Sequence, residues 1–320
     1  MKVDALWMIE AGKVEVRQVE VNDPDWGEIQ IEVKACGICT WDQYLFLGKS
    51  LLTPFPFPFG HEAAGVVRKI GPGVRGFKPG DSVMCCGGEN CMAQLVNLPV
   101  ENIAPISEDV TDWTKWVGEP VSCIVNSMCQ VPVYPAMDIV LIGAGYMGML
   151  KLQALKRTLA GTINVFEINP VRRELACKEF GAENMYDPYS PQGKAKVDEI
   201  VSHGGADLVI ECSSSEDGLK NAEKMLKNSG ALELFAWHRG NVSIDGTVLH
   251  LKGIRVYNTA PNSERFYVPQ RVRQAQKLIS MGVFDQSKLI THVDSYHNAQ
   301  YALERALNKT DGYIKGVLTF

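Results

Sequence analysis

The second half of the chain alternates short apolar strands with helices, and this alternation restricts the fold more than any other feature of the sequence. The apolar runs read DIVLIG, TINVFEI, ADLVIEC and ALELFAW, and helical segments separate them. Strand–helix alternation at this spacing is typical of a parallel sheet with helices on both faces. The sequence therefore predicts an α/β fold built on a doubly wound parallel sheet.

Residues 1 to about 110 consist instead of short alternating runs, such as KVEVRQVEV and EIQIEVKACGI, between turns rich in glycine and proline. This pattern predicts a small β-rich unit, either a barrel or a sandwich. The C-terminal segment returns to mixed structure, with helices expected near 264–280 and 296–308 and a closing strand in GYIKGVLTF. A length of 320 residues also favours two domains.

Composition narrows the classes of partner. The net charge is −5 without any block of like charges, which makes nucleic acid an unfavourable partner because a phosphate-backbone binder needs a basic face. No apolar run approaches the length of a membrane span, and the N-terminal residues alternate as strands rather than as a signal peptide. The nine cysteines are unevenly spaced, which favours thiol or metal roles in a reducing compartment. We expect a cytoplasmic protein.

A glycine motif follows the first strand of the alternating region. In VLIGAGYMG, Gly143, Gly145 and Gly148 have the spacing G-x-G-x-x-G. The first glycine of such a motif permits the tight turn, the second lets a pyrophosphate approach the backbone, and the third lets helix and strand pack closely. Phosphate oxygens then meet free amides at the helix N-terminus, beside Tyr146 and Met147. The motif predicts a dinucleotide site; a nucleotide-free turn is the alternative.

An acidic residue at the expected position supports the dinucleotide site. Glu167 follows Gly148 by about 20 residues and ends the next strand, in NVFEIN. A carboxylate there accepts hydrogen bonds from the adenosine ribose hydroxyls and repels a 2′-phosphate, which favours NAD over NADP. Arg172 and Arg173 lie just beyond it, and either could reach the ribose edge or stack on the adenine.

The stretch ACGICTWDQYLFLG places Cys36 and Cys39 three residues apart. Such a pair can be a redox couple, part of a metal site or core packing, but this pair ends a strand and lacks the context of a thioredoxin-like redox site. Further along the chain, His61 and Glu62 lie on a turn that leads into a strand, and Glu119 precedes a proline. A thiolate, an imidazole and one or two carboxylates are the donors of a catalytic zinc site with one position left for water or substrate.

The order of motifs along nearly the whole chain resembles the zinc-dependent medium-chain dehydrogenase/reductase family, which includes the alcohol dehydrogenases. The motifs are CGIC-x-x-D, GHE-x-x-G-x-V, G-x-x-V-x-x-F-x-x-GD-x-V, EP-x-x-C and G-A-G-x-x-G. The GEPVS segment is similar to the polyol (sorbitol) and threonine dehydrogenase branch. The resemblance implies a GroES-like β-rich catalytic domain at residues 1–124 and 260–320, and a Rossmann NAD-binding domain at residues 125–259.

The resemblance also implies a role for each candidate residue. By the family pattern, Cys39 and His61 are zinc ligands and Asp42 orients the histidine. Glu62 and Glu119 occupy positions that ligate the zinc or lie just outside it, alternating with water. The first cysteine of CGIC is left as a small buried side chain. One catalytic zinc per chain is therefore expected.

The first departure from the family concerns a second metal. The family often carries a four-cysteine lobe for a structural zinc, and this chain lacks it. Cys85, Cys86 and Cys91 lie in the corresponding region, in CCGGENC, but three cysteines do not complete a four-ligand site. We expect free thiols in a short loop, and a cluster completed by a more distant residue is the alternative.

The second departure is Trp41. The family usually has serine or threonine at this position, and its hydroxyl starts a proton relay that often ends at a histidine three residues on, where this chain has Tyr44. An indole N–H donates a hydrogen bond but cannot accept a proton, so the relay cannot pass through Trp41. The alternatives are a glutamate–water route through Glu62 or Glu119, and a route through Tyr44. The indole also gives the substrate pocket an aromatic wall, which suits a flat, apolar or sugar face.

Two further segments are candidates for substrate contact. Ligands gather at the carboxyl ends of strands in doubly wound sheets, so His238 or Arg239, at the end of ALELFAW, could hold a charged substrate; a solvated turn is the alternative. The segment LLTPFPFPFG is expected to be a stiff apolar loop that packs and lines the cleft beside the metal, through Phe55, Phe57 or Phe59.

The predicted activity is hydride transfer between a nicotinamide cofactor, NAD rather than NADP, and an alcohol or polyol or the corresponding ketone or aldehyde. Reduction of an activated double bond, or other reductive chemistry, is the alternative that Trp41 suggests. A non-enzymatic nucleotide-sensing protein is a third, but such a protein should have a degraded metal site, and every ligand candidate is present here. The resemblance implies a homodimer or homotetramer.

Overall fold

The computed structural model describes residues 1–49, 54–88, 90–259 and 269–320. Contacts divide the chain into two compact units, one formed by Met1–Ser122 with Ser263–Phe320 and the other by Cys123–Asn262. The predicted start of a helix near residue 264 lies outside the described residues. None of the helices described combines the length and apolar character that a membrane-spanning helix needs. The catalytic and NAD-binding roles of the two units remain predictions.

The first unit is rich in strands because its sequence alternates apolar and polar residues with the period of a strand. Its elements are β1 (Lys2–Glu10), β2 (Lys13–Glu20), β3 (Glu28–Gly37), α1 (Thr40–Phe46), β4 (Phe57–Pro58), β5 (Ala63–Ile70), β6 (Ser82–Cys85), β7 (Leu95–Pro99), β8 (Ile103–Pro105) and the start of α2 (Glu119–Gln130).

The second unit consists of alternating strands and helices, as the sequence predicts. Its elements are β9 (Ile139–Ile142), α3 (Tyr146–Leu155), β10 (Ile163–Phe166), α4 (Pro170–Phe180), β11 (Asn184–Tyr186), α5 (Pro191–Ser202), β12 (Ala206–Glu211), α6 (Glu216–Met225), β13 (Leu226–Leu234), α7 (Gly246–Lys252) and β14 (Arg255–Asn258). The C-terminal elements, α8 (Pro269–Ser280), β15 (Ile290–Ser295), α9 (Ala299–Asn308) and β16 (Lys315–Thr319), rejoin the first unit.

Strand β3 is the centre of the first unit. It pairs antiparallel with β5 along one side, and on its other side β7 pairs with residues 28–32 and β16 with residues 35–37. The sheet has the order β15-β16-β3-β5-β6-β8, with β7 added beside β3. A second sheet has the order β2-β1-β4. The core between these elements includes Phe57 and Phe59, and Phe55 packs against it with its ring stacked on that of Phe57. The predicted packing is therefore found, with two of the three rings in the core, but Phe57–Pro58 form strand β4 rather than part of a loop. The predicted lining of the cleft stays a prediction.

The segment TDWTKWVGEPVSCIVNSMCQ, residues 111–130, has helical spacing, which predicts a helix that Pro120 breaks or kinks. The structure divides it differently. A 3₁₀ turn comes first, at Trp113–Trp116, and Asp112 caps it by accepting a hydrogen bond from the Thr114 N–H at 3.0 Å. Helix α2 then begins at Glu119. Pro120 lies in the first turn, where no backbone N–H is needed, so it starts the helix rather than kinking it.

The second unit contains a six-stranded sheet of order β11-β10-β9-β12-β13-β14, and each described strand pair in it is parallel. This order is that of the doubly wound dinucleotide-binding fold, which confirms the predicted fold class. The strand order reverses between β9 and β12, and ligands bind outside the carboxyl ends of strands at such a point.

The glycine motif occupies the turn between β9 and α3. Gly143 has a φ of +92°, and a Cβ there would lie 2.9 Å from the backbone nitrogen of Ser213. Gly145 is the N-cap of α3. A Cβ on Gly148 would lie 2.0 Å from the carbonyl oxygen of Gly143, so the first turn of the helix packs on the turn before it without room for a side chain.

We expect Gly148→Ala to lower the free energy of unfolding by about 1–3 kcal/mol, because backbone must move to accept the methyl group. Gly246→Ala is the matched control, since no atom lies within 4 Å of the position of its Cβ. Alanine in that helix should leave stability unchanged or raise it by up to about 1 kcal/mol. Urea unfolding checks both, and equal stability of the two variants would contradict the packing argument.

Candidate metal and dinucleotide sites

Cys39 lies at the N-cap of α1, directly after β3. Its backbone N–H donates to Oδ2 of Asp42, three residues further on, at 2.8 Å. A carboxylate at this position that binds the N-cap amide is half of a capping box. The spacing C-x-x-D thus determines where α1 begins, and it also places the Cys39 thiol.

His61 and Glu62 lie between β4 and β5 and are held by backbone hydrogen bonds from two other segments. The Gly37 N–H donates to the carbonyl oxygen of Glu62 at 2.9 Å, and the Gly87 N–H donates to that of His61 at 3.0 Å. A Cβ on Gly37 would lie 2.0 Å from Oε2 of Glu62. The glycine of CGIC is therefore what leaves space for this carboxylate.

Cys39, His61 and Glu62 each offer one ligand atom, and these three atoms lie within 4.8 Å of one another. Within the described residues, no second group of three or more such side chains is close enough to hold a metal ion. Sulfur, nitrogen and oxygen donors in one small group suit zinc. Glu119 lies outside this close group but is buried. Burial lowers the pKa of His61, but Cys39 and, to a smaller extent, Asp42 and Glu119 raise it above its usual value.

The charges around Cys39, His61 and Glu62 indicate whether these residues suit a bound cation. Burial raises the pKa of the Cys39 thiol and raises that of Asp42 to about 6, while the nearby His61 lowers both. Oδ1 of Asp42 is buried 3.9 Å from Nδ1 of His61, without a hydrogen-bond partner among the described residues. A cation on the thiolate and imidazole would favour the ionised carboxylate. The residues therefore fit a zinc ion.

Lys315, in β16, is a site residue that the sequence analysis missed. It is buried, and its Nζ donates to Oε2 of Glu62 and to the carbonyl oxygen of Ile38, the latter at 3.1 Å. The sequence does contain an indication of this residue, because a lysine lies within the apolar closing strand YIKGVLTF. A lysine that is buried in a strand core needs an acidic partner, and the two together form an ion pair beside the metal ligands.

Trp41 and Tyr44 lie on α1, immediately after Cys39 in the chain. Their rings are stacked, with centroids 5.7 Å apart and an angle of 24° between the planes. Trp41 is 36% exposed and Tyr44 is half-buried. The structure thus brings both predicted residues onto the helix that carries the N-cap cysteine.

Four other cysteines are fully buried in the first unit: Cys36, Cys85, Cys86 and Cys91. Burial raises the pKa of each thiol. Cys85 ends β6, so the CCGGENC segment begins in the sheet rather than in a loop. The Cys91 thiol donates to the Gly87 carbonyl oxygen at 3.5 Å. These thiols pack as small, inert side chains.

Glu167 follows β10 and is buried beside the glycine-rich turn. Its Oε2 accepts a hydrogen bond from the Ala144 N–H at 2.7 Å, and its Oε1 accepts one from the Asn169 N–H at 2.8 Å. The carboxylate therefore joins the turn after β9 to the end of β10. An ionised carboxylate has about four acceptor positions, so ribose hydroxyls can still bind to it.

The two arginines that follow differ in their contacts. Nη1 of Arg172 lies 3.8 Å from the position that a Cβ on Gly145 would occupy, so this guanidinium reaches the glycine-rich turn. Arg173 instead donates to the carbonyl oxygens of Glu167 and Ile168, each at 2.8 Å. Tyr146 and Met147 form the first turn of α3, as the motif predicts.

Comparison with known proteins agrees with the fold and with the donor set. A family model described as "Alcohol dehydrogenase GroES-like domain" matches residues 24–138, and one described as "Zinc-binding dehydrogenase" matches residues 147–280. The chain belongs to the zinc-dependent medium-chain dehydrogenase/reductase family, the family of the zinc-type alcohol dehydrogenases.

Relatives match over almost their full length. L-threonine 3-dehydrogenase of Pyrococcus abyssi is 27% identical and is covered to 92%, with 91% of this chain aligned. Sorbitol dehydrogenase of Bacillus subtilis is 23% identical and is covered to 91%, with 92% of this chain aligned. The crystal structure of a Sinorhizobium meliloti zinc-binding dehydrogenase bound to NADP has a TM-score of 0.85 at 22% identity, covering 100% of both chains.

We expect Asp42→Asn to weaken zinc binding by about 10–100-fold, because a neutral amide no longer balances charge next to His61. Competition with a chromogenic chelator measures the zinc Kd. Asp109→Asn, which changes an exposed aspartate of the same unit, is the control and should keep the wild-type Kd. A wild-type Kd in Asp42→Asn would show that Asp42 only caps α1.

Proposed function

We propose that this dehydrogenase is a zinc-dependent oxidoreductase that transfers a hydride between a nicotinamide cofactor and an alcohol or polyol, or the corresponding ketone or aldehyde. The close group of Cys39, His61 and Glu62 carries the proposal, because it provides the three donor types of a catalytic zinc site. A second candidate, reduction of an activated double bond, rests on Trp41 alone, and the named relatives give it no support.

Cys39 and His61 would hold the zinc, and Glu62 or Glu119 would complete the protein ligands or stand just outside. A zinc ion with an open position supplies polarisation of the substrate oxygen. Lys315 offsets the charge of Glu62. A site that includes Glu62 therefore carries less net negative charge than its three donors suggest.

The proton that accompanies hydride transfer needs a carrier other than Trp41, because an indole cannot accept a proton. We propose a glutamate–water route through Glu62 or Glu119, both of which are buried. Tyr44 is the next candidate, since its phenol is on the same helix face as the indole on which it stacks. Trp41 then acts as an aromatic wall for the substrate.

We propose NAD as the cofactor, with NADP less favoured. Glu167 at the end of β10 supports NAD because its carboxylate would repel a 2′-phosphate. The pyrophosphate would lie at the N-terminus of α3, over Gly145 and the amides of Tyr146 and Met147. Arg172 reaches the same turn and supplies a cation for it.

We also propose a cytoplasmic homodimer or homotetramer that acts on a small molecule, without nucleic acid or membrane as a partner. Strand β14 supports self-association, because it is the edge of the six-stranded sheet and most of its residues are exposed. Where an edge strand has no partner among the described strands, its outer backbone groups can pair with a second strand.

Purified protein should contain about one zinc per chain by elemental analysis, because we propose one catalytic site. Cys39→Ala should lose the metal and the oxidation of polyols. Cys129→Ala, which changes an exposed cysteine, is the control and should keep both. About two zinc ions would reveal a structural site, and none in protein never exposed to chelator would refute zinc dependence.

Trp41→Ser should raise kcat/KM for simple secondary alcohols, because it restores the hydroxyl from which a relay starts. We expect an increase of roughly tenfold or more, as positioned proton transfer contributes about 10²–10⁴-fold. Trp26→Ser removes a tryptophan that is 80% exposed and should leave the kinetics unchanged. An unchanged alcohol profile in Trp41→Ser would show that the indole does not block the relay.

A further inference from the structure

The dinucleotide site has two halves, and the glycine motif serves one of them. In the sheet order β11-β10-β9-β12-β13-β14, the strands before and after the reversal form separate halves, each suited to one nucleoside. The glycine-rich turn, Glu167 and Arg172 belong to the half formed by β9–β11. The second nucleoside then belongs over the carboxyl ends of β12 and β13.

Glu211 ends β12 at this edge of the sheet. It is in register with Ile142, the last residue of β9, and with Leu234, the last residue of β13. Its side chain is fully buried. Oε1 accepts a hydrogen bond from the Ser213 N–H at 2.7 Å, and Oε2 accepts one from the Ser214 N–H at 3.3 Å. These hydrogen bonds hold the turn after β12 against the carboxyl edge of the sheet.

This folded segment borders the glycine-rich turn. A Cβ on Gly143 would lie 2.9 Å from the backbone nitrogen of Ser213, so the two turns touch. Ser214 has a φ of +56°, a conformation that residues other than glycine rarely adopt. Such strain is retained where surrounding bonds hold it, here the bonds to Glu211. The buried carboxylate of Glu211 thus supports the turn that borders the glycine-rich turn.

His238 reaches the same carboxylate from the turn after β13. Its Nε2 lies 2.8 Å from Oε2 of Glu211, and its side chain is 9% exposed. The pair is at ion-pair distance but is not aligned as a hydrogen bond, and neither ring nitrogen has a hydrogen-bond partner among the described residues. Buried polar groups without a partner are rare and call for an explanation, such as a functional role or a bound group.

The next residue, Arg239, contacts Trp237, so His238 is the candidate for ligand contact in this turn. The guanidinium of Arg239 lies over the ring of Trp237, 5.6 Å from its centroid. A carboxylate 2.8 Å from one ring nitrogen favours a proton on that nitrogen and restricts the orientation of the imidazole. An imidazole fixed in this way can donate to, or accept from, a ribose hydroxyl, which does both.

We propose that His238, oriented by Glu211, binds a ribose hydroxyl of the second nucleoside of the dinucleotide. The inference rests on the proposed nicotinamide dependence and adds a contact on the nicotinamide side of the cofactor. Neither His238 nor Glu211 belongs to the half proposed to bind adenosine or to the glycine-rich turn proposed to bind the pyrophosphate. Loss of His238 should therefore affect only ligands that carry the second ribose.

Isothermal titration calorimetry of the full chain with three ligands tests this contact. NADH and ADP-ribose contain the second ribose, and ADP lacks it. We expect His238→Ala to raise the Kd of NADH and of ADP-ribose by about 5–10-fold, the effect of one hydrogen bond, and to leave the Kd of ADP unchanged. His203→Ala, an exposed histidine of the same unit, is the control and should leave all three unchanged.

His238→Gln keeps a hydrogen-bonding side chain and should recover part of the lost NADH affinity. An equal loss for NADH, ADP-ribose and ADP would overturn the proposal, because it would indicate a general effect on folding. An unchanged NADH affinity in His238→Ala would also overturn it and would leave the proposed function standing. Failure of the wild-type protein to bind NADH or NADPH would overturn both.

Discussion

The close group of Cys39, His61 and Glu62 depends on a buried ion pair between Lys315 and Glu62, whose positions are 253 residues apart. Lys315 belongs to β16, which pairs with β3, and β3 pairs with β5, the strand that Glu62 precedes. Removing one partner of a buried pair costs on the order of 3–5 kcal/mol, since the other charge is left uncompensated. The closing strand is therefore a structural part of the proposed zinc site, although it contains no ligand.

Three buried carboxylates organise the two sites in the same way. Asp42 accepts the Cys39 amide, Glu167 accepts the Ala144 amide, and Glu211 accepts the Ser213 amide. Each binds backbone where a strand ends and the chain turns, and hydrogen bonds to an ionised acceptor are stronger than neutral ones. Buried amides in turns need such partners. The groups proposed to act on ligands thus also hold the loops that present them.

Sequence patterns predicted much of the fold and part of the site. The alternation of strands and helices predicted the parallel sheet, and the motifs identified Cys39, His61 and Glu62 as candidates for one metal site. The helical spacing of residues 111–130 did not show that Pro120 lies in the first turn of α2, which begins one residue earlier. Lys315 was missed because a single lysine in an apolar strand has no local partner. His238 was identified only as a residue at a strand end, without Glu211.

By itself the sequence determined the type and order of the elements, the capped start of α1 and the glycine-rich turn. These features arise from periodicity, capping and sterics, which act over a few neighbouring residues. Only the tertiary structure decided that Lys315 meets Glu62, that His238 meets Glu211, and that the thiols of CCGGENC are buried. Those contacts follow from strand pairing and register, which join residues far apart in the chain and leave no local pattern.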